Sequence, residues 1–197
     1  FGEGHYLRPN FYQPIECTNV LVEGVTIANS PMWELNPVLC TNFTARGVTI
    51  DTHGYNNDGC DPENCNYVLI ENCFFNTGDD CIAIKSGRNN DGRLWNRPSQ
   101  NIIVRNCEMQ NGHGGVVIGS EISGGCPNTC RGGIVENIYA RNITVGQCGE
   151  SVLKINLDYE HNEICCRGFQ PTVRNINLEN VTCQKSKYGV QIIALDT

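Results

Sequence analysis

The sequence predicts an all-β fold, a right-handed, single-stranded parallel β-helix of about six coils. Three observations predict it. A short segment recurs along the chain, apolar residues alternate on both sides of a fixed position within it, and that position is always Gly or Asn.

The six copies are Asn19–Val25, Asn42–Val48, Tyr67–Cys73, Asn101–Cys107, Asn137–Ile143 and Asn175–Val181. Aligned on their next-to-last residue, they place Gly24, Gly47, Asn72, Asn106, Asn142 and Asn180 in one column, spaced 23, 25, 34, 36 and 38 residues apart. Before the anchor, Val20, Phe43, Val68, Ile102, Ile138 and Ile176 form one apolar column, and Val22, Ala45, Ile70, Val104, Ala140 and Leu178 a second. After it come the column led by Val25 and Val48 and the column led by Ile27 and Ile50. Each flank therefore alternates with the period of a half-buried strand. The phase slips by one residue at the anchor, so the chain turns there. Gly and Asn are the residues that enter the left-handed conformation most readily. Two short strands joined by such a corner, repeated along the chain, describe one coil of a β-solenoid. Stacking should place Asn72, Asn106, Asn142 and Asn180 in a ladder of side-chain amides.

No helical period persists. The longer coils carry insertions, Ser86 to Gln100 and Ser120 to Gly133, which a solenoid gathers on one face, often the binding face. The chain opens and closes in mid-pattern, so terminal coils are expected to be missing and the isolated piece to be poorly soluble, with open strand edges. Residues 1–197 are read as the central part of one domain.

The net charge of −7, without a basic run, argues against nucleic acid, which needs a concentrated positive face. No apolar stretch of about 18 residues suggests a membrane span. Of the 13 cysteines, Cys73, Cys107 and Cys183 fall in apolar columns and are read as small core residues. Cys60, Cys65, Cys126, Cys130, Cys165 and Cys166 fall in turns or loops and are the better disulfide candidates. A zinc site from Cys126, Cys130, Cys165 and Cys166 is the weaker alternative, because its spacing is irregular.

The polar residues converge on one side of the stack. Asp79 and His113 each lie seven residues after their anchors, Asn72 and Asn106, and each lies five before an isoleucine, Ile84 or Ile118. Both counts stack His113 over Asp79, and adjacent strands lie about 4.8 Å apart. One coil earlier comes Asn56-Asn57-Asp58-Gly59. Clustered carboxylates repel, so one holds its proton to higher pH. A pair with separated ionisation is what glycoside hydrolysis uses, one acid for the leaving oxygen and one base for water. An Asp-Gly pair alone is ordinary turn chemistry. Adjacent Asp79 and Asp80 at a strand entry exceed what a turn needs, and Gly112, Gly114 and Gly115 around His113 leave room for a ligand.

These motifs, Asn56-Asn57-Asp58, Gly78-Asp79-Asp80 and Gly112-His113-Gly114 in that order, together with Asn29-Ser30-Pro31-Met32-Trp33, resemble glycoside hydrolase family 28, the polygalacturonase family. The resemblance covers essentially the whole chain and makes it part of a β-helix catalytic domain. It implies inverting hydrolysis of galacturonide linkages in pectic polysaccharide, without metal or cofactor. Asp79 would be the general acid, Asp58 and Asp80 would hold and activate water, and His113 would tune the acid. Leu153-Lys154-Ile155-Asn156 stands where the family has Leu-Arg-Ile-Lys. Lys154 and Asn156 share the outward face and are the expected substrate-binding residues, with Tyr188 as a further cleft residue. Lys154 keeps a charge for a uronate but loses the fork of Arg, which points to an exo-acting enzyme on another pectic galacturonide, such as a rhamnogalacturonan side chain. The resemblance further implies a secreted or periplasmic monomer. The competing readings are a calcium-dependent lyase of the same fold, for which no arginine base is evident, and a non-catalytic carbohydrate-binding solenoid.

Overall fold

The computed structural model describes residues 7–122, 131–157 and 170–194. Its strands are β1 (Thr18–Glu23), β2 (Thr26–Ala28), β3 (Thr41–Arg46), β4 (Thr49–Asp51), β5 (Asn66–Glu71), β6 (Phe74–Asn76), β7 (Ile82–Ile84), β8 (Ser99–Ile118), β9 (Arg131–Asn156), β10 (Gln170–Lys185) and β11 (Tyr188–Ile193). All pair in parallel, each with the strand one coil away. The chain is a parallel β-helix.

The register reproduces the sequence columns. Val20, Phe43, Val68, Ile102, Ile138 and Ile176 are partnered in series, as are Val22, Ala45, Ile70, Val104, Ala140 and Leu178. Beyond the corner run Ile27, Ile50, Phe75, Met109, Val145 and Cys183. A third face stacks Ile82, Val116, Leu153 and Val190. Phe43, Ile50, Ile70, Phe75, Ile84, Ile102 and Met109 are wholly inside. Each such side chain contributes about 1.5–3 kcal/mol on burial.

Every anchor residue has positive φ, from Gly24 at 62° to Asn180 at 50°. A second corner opens each segment, at Asn19, Asn42, Tyr67, Asn101, Asn137 and Asn175, with φ between 55° and 61°. Asparagine tolerates this backbone because its short amide bonds locally. The amides also bond between coils. Of the expected ladder, Asn180 bonds to Asn142 (2.9 Å) and Asn142 to Asn106 (3.1 Å), but no described bond carries it on to Asn72. A second ladder joins Asn175, Asn137, Asn101 and Asn66. A third joins Gln147, Asn111, Asn76 and the carboxylate of Asp51.

Four expectations are corrected. The insertion after Ser86 holds a helix, α1 (Asn89–Trp95), too short to leave a sequence period. Its Arg93 is buried. Cys60 and Cys65 are free and buried rather than bridged. Cys60 stacks between Leu35 and Ile82, and the Cys65 thiol donates to the Pro37 carbonyl (3.2 Å), so both are core residues. Cys183 is exposed, because β10 pairs only with β9 and no described strand covers its far side. The glycines flanking His113 mark tight packing instead of open space. A Cβ at Gly112 would lie 2.6 Å from the Cys81 sulfur, and one at Gly115 2.7 Å from the Val152 carbonyl oxygen. Cys126, Cys130, Cys165 and Cys166 lie outside the described residues.

Candidate active site

The Asp79–Asp80 corner joins β6 to β7 and is clamped from both neighbouring coils. The His113 N–H donates to the Asp79 carbonyl and the Gly59 N–H to the Asp80 carbonyl, both at 2.9 Å. Within the corner, the Thr77 hydroxyl donates to the Asp79 carbonyl (2.7 Å) and the Asp80 N–H to Asp79 Oδ1 (3.0 Å). The corner needs glycine at Gly78, where a Cβ would lie 2.4 Å from the Gly54 carbonyl oxygen.

Asp58 is placed by its neighbour. The Asn57 amide donates to the carbonyls of Ser30 (2.8 Å) and Met32 (2.9 Å). Its oxygen accepts from the Thr52 hydroxyl (2.9 Å) and the Gly54 N–H (2.5 Å). Asn57 thus ties together three loop segments and presents Asp58 to the cleft. Arg8 braces the rim, donating to the Tyr55 carbonyl (2.8 Å) and the Asn56 side chain (2.5 Å).

Asp58, Asp79, Asp80, His113 and Lys154 line one cleft of about 380 Å³, with Trp33, Tyr55, Lys85 and Glu121 completing its wall. His113 Nδ1 lies 3.3 Å from Asp80 Oδ1 and 3.7 Å from Asp79 Oδ1. The backbone stacking over Asp79 is as the register predicted, yet the ring turns towards Asp80. Lys154 is held by an ion pair with Glu150, whose carboxylate also lies 3.6 Å from His113 Nε2. Leu153 and Ile155 point inward and leave Lys154 and Asn156 on the outer face. Asn156 pairs across to Ile193 and does not line the cleft. Tyr188 is exposed beneath Lys187 Nζ (5.1 Å to the ring) and also stands outside the lining. Past His113 the cleft opens into a groove of about 660 Å³ flanked by Lys185 and Lys187.

Burial dominates the electrostatics. Burial, then the charge of Asp80, pushes the Asp79 carboxyl up, with His113 opposing. Burial, then Asp61, pushes Asp58 well above the ordinary carboxylate range. His113 is raised, first by its bond to Asp80, with burial opposing. Asp79, Asp80 and His113 also have ligand atoms within 4.8 Å of one another, the described group close enough to share a metal ion.

Residues not singled out in the sequence complete the floor. Lys85 is buried, bonded to Glu121 Oε2 (2.8 Å) and 3.6 Å from Asp61 Oδ2. Burial pushes Asp61 up to about 8, with Lys85 opposing. The available signal was a lysine ending the apolar run Ile82-Ala83-Ile84, and an acid three residues after Asp58.

Stacked parallel coils bring clustered carboxylates and a histidine into one cleft of a parallel β-helix. The model of the family described as Glycosyl hydrolases family 28 matches residues 3–194, and the chain belongs to that family. It is similar over its whole length to a hyperthermoactive exopolygalacturonase from Thermotoga maritima, at 41% identity and a TM-score of 0.81, covering 48% of that chain. It is 27% identical over 198 residues to a polygalacturonase of Cochliobolus carbonum, spanning 97% of this chain and 47% of the relative. A probable polygalacturonase of Vitis vinifera is 29% identical over 167 residues, 73% of this chain and 34% of the relative. The chain thus spans between a third and a half of these relatives' length.

Proposed function

We propose that this chain carries the catalytic centre of an inverting hydrolase of galacturonide linkages in pectic polysaccharide. The observation that carries the reading is the placement of Asp58, Asp79 and Asp80 around one cleft with His113 against the latter two. Asp79 is the acid. Its raised proton affinity suits a group that must stay protonated until the leaving oxygen needs it. Asp80 and Asp58 hold the water on the other side of the sugar, and His113 shares charge with the Asp79–Asp80 pair. Lys154 faces the substrate carboxylate. Pectic polymers are cell-wall material, so action outside the cytoplasm belongs to this reading, as does a monomeric enzyme. Attack from the chain end is favoured by the similarity to the Thermotoga maritima exopolygalacturonase.

The test is the anomer released from trigalacturonate, followed by NMR, with and without chelator. The expected first product has inverted configuration, and Asp79→Asn lowers kcat by about 10²–10⁴. A retained anomer would exclude the mechanism. An unsaturated product abolished by chelation would favour a lyase, for which Asp79, Asp80 and His113 would be the cation site.

A further inference from the structure

We propose that Lys85, anchored by Glu121, is a positioning residue for the reaction: it fixes the Asp58–Asp61 carboxyl pair under the cleft and holds that pair at one negative charge. The proposal rests on the hydrolytic reading above.

The geometry is a vertical stack of acid, base and acid over three coils. Lys85 bridges to Glu63 in the coil carrying Asp58 and Asp61. Glu121 belongs to the next coil, where its carbonyl accepts the Ser86 N–H (2.7 Å). The Lys85 ammonium lies between, 2.8 Å from Glu121, 3.6 Å from Asp61 and 4.6 Å over the centre of the Trp33 ring. Asp61 is fully buried, and Asp58 and Lys85 each retain 4% exposure. At such depth an unpaired charge costs several kcal/mol, so three acids around one cation need a proton.

The hydrogen-bond pattern locates it. Asp58 Oδ1 and both Asp61 oxygens accept no hydrogen bond from the described groups, and the Lys85 ammonium stands only at ion-pair distance from Asp61 Oδ2. Two ionised carboxylates can only accept, so their contact leaves these atoms unpaired. One proton shared between the two carboxyls supplies the missing donor. Lys85, nearer Asp61, opposes full protonation of the pair and leaves Asp58 able to accept. The remaining charged groups around the pair are Asp79 and Asp80 from the following corner, Glu63 beside Lys85, and Arg88 near Glu121. His113 faces Asp80 and Asp79 from the coil beyond.

The charge matters for the step. Water loses a proton to the pair at Asp58 as its oxygen bonds to the anomeric carbon. The glycosidic bond breaks, and the leaving oxygen takes its proton from Asp79. The pair accepts only while it keeps a negative charge. Loss of Lys85 should fill it with protons at higher pH. Loss of the Glu121 charge should leave Lys85 acting on the pair alone and have the opposite effect.

Two measurements test this on Lys85→Met and Glu121→Gln. The first is carboxyl ¹³C NMR titration of Asp58 and Asp61 in the resting protein. The second is the pH dependence of kcat/KM on trigalacturonate. The pair's titration and the acidic limb should move up by about one pH unit or more in Lys85→Met, move down in Glu121→Gln, and leave KM within threefold. Shifts in the same direction in both variants, or none, would overturn the proposal. If Lys85→Met does not fold, an unshifted titration in Glu121→Gln overturns it alone. An inactive wild type would defeat the hydrolytic reading, while the NMR titration would still decide the charge of the pair.

Discussion

Replacing Asn57 with alanine should damage both the fold and the site. The side chain makes four hydrogen bonds, to Ser30, Met32, Thr52 and Gly54, and is itself buried. A neutral hydrogen bond contributes about 1 kcal/mol net, and a buried group left unpaired costs about 1–3 kcal/mol. The Ser30 carbonyl and the Thr52 hydroxyl lie in buried residues, whereas the Gly54 N–H can reach water. The sum is about 3–5 kcal/mol, to be read from urea unfolding of the protein at neutral pH. Asp58 follows Asn57 directly, so the loop that presents it should loosen, and kcat should fall by about 10². A loss below about 1 kcal/mol with unchanged kcat would refute the view that this amide holds the loop. Restoration by Asn57→Asp at low pH, where a protonated carboxyl can still donate, would support it.

Two further outcomes follow from close contacts and buried charge. In Gly114→Ala the new methyl would lie 2.4 Å from Val117 Cγ2 and 2.8 Å from Asp80 Oδ1, so stability should drop by about 1–3 kcal/mol, with activity reduced at unchanged fold by circular dichroism. For pH, Asp61 binds its proton up to about 8 in the folded chain, whereas an unfolded aspartate releases it near 3.9. The folded state therefore holds more protons between those values, and stability falls as pH rises through that window. The raised His113 acts in the same direction, since its contribution is complete below the unfolded value and is lost as pH rises through the folded one. Thermal unfolding should occur at lower temperature at pH 8 than at pH 5, and Asp61→Asn should flatten the slope; a melting temperature that rises over this range would contradict the assignment.

The columns were legible because burial on one face imposes period 2, and because the corners require positive φ at Gly24 and its successors. Both constraints act within a few residues. The second corner was hidden by Tyr67, a residue rarely left-handed, which here adopts φ 59°. The placement of Cys60 and Cys65 depended on partners a whole coil away, so their turn-like sequence misled. The same distance concealed the floor of the cleft. Lys85 is enclosed by residues of other coils, among them Glu121, 36 residues later, and Trp33, 52 residues earlier. The stacking of His113 on Asp79 could be counted, but the ring's turn towards Asp80 could not, because side-chain rotation leaves no trace in spacing.

The amide ladders have a polarity. In every rung described, the amide of the later coil donates to the oxygen of the earlier one. The side-chain dipoles therefore align head to tail along the solenoid axis, with their positive poles towards the N-terminal coils, as peptide dipoles do in an α-helix. Asp51 sits at the positive pole of its stack and accepts from Asn76. It plays the part that an acidic residue plays in the first turn of a helix, with a carboxylate terminating a column of oriented amides.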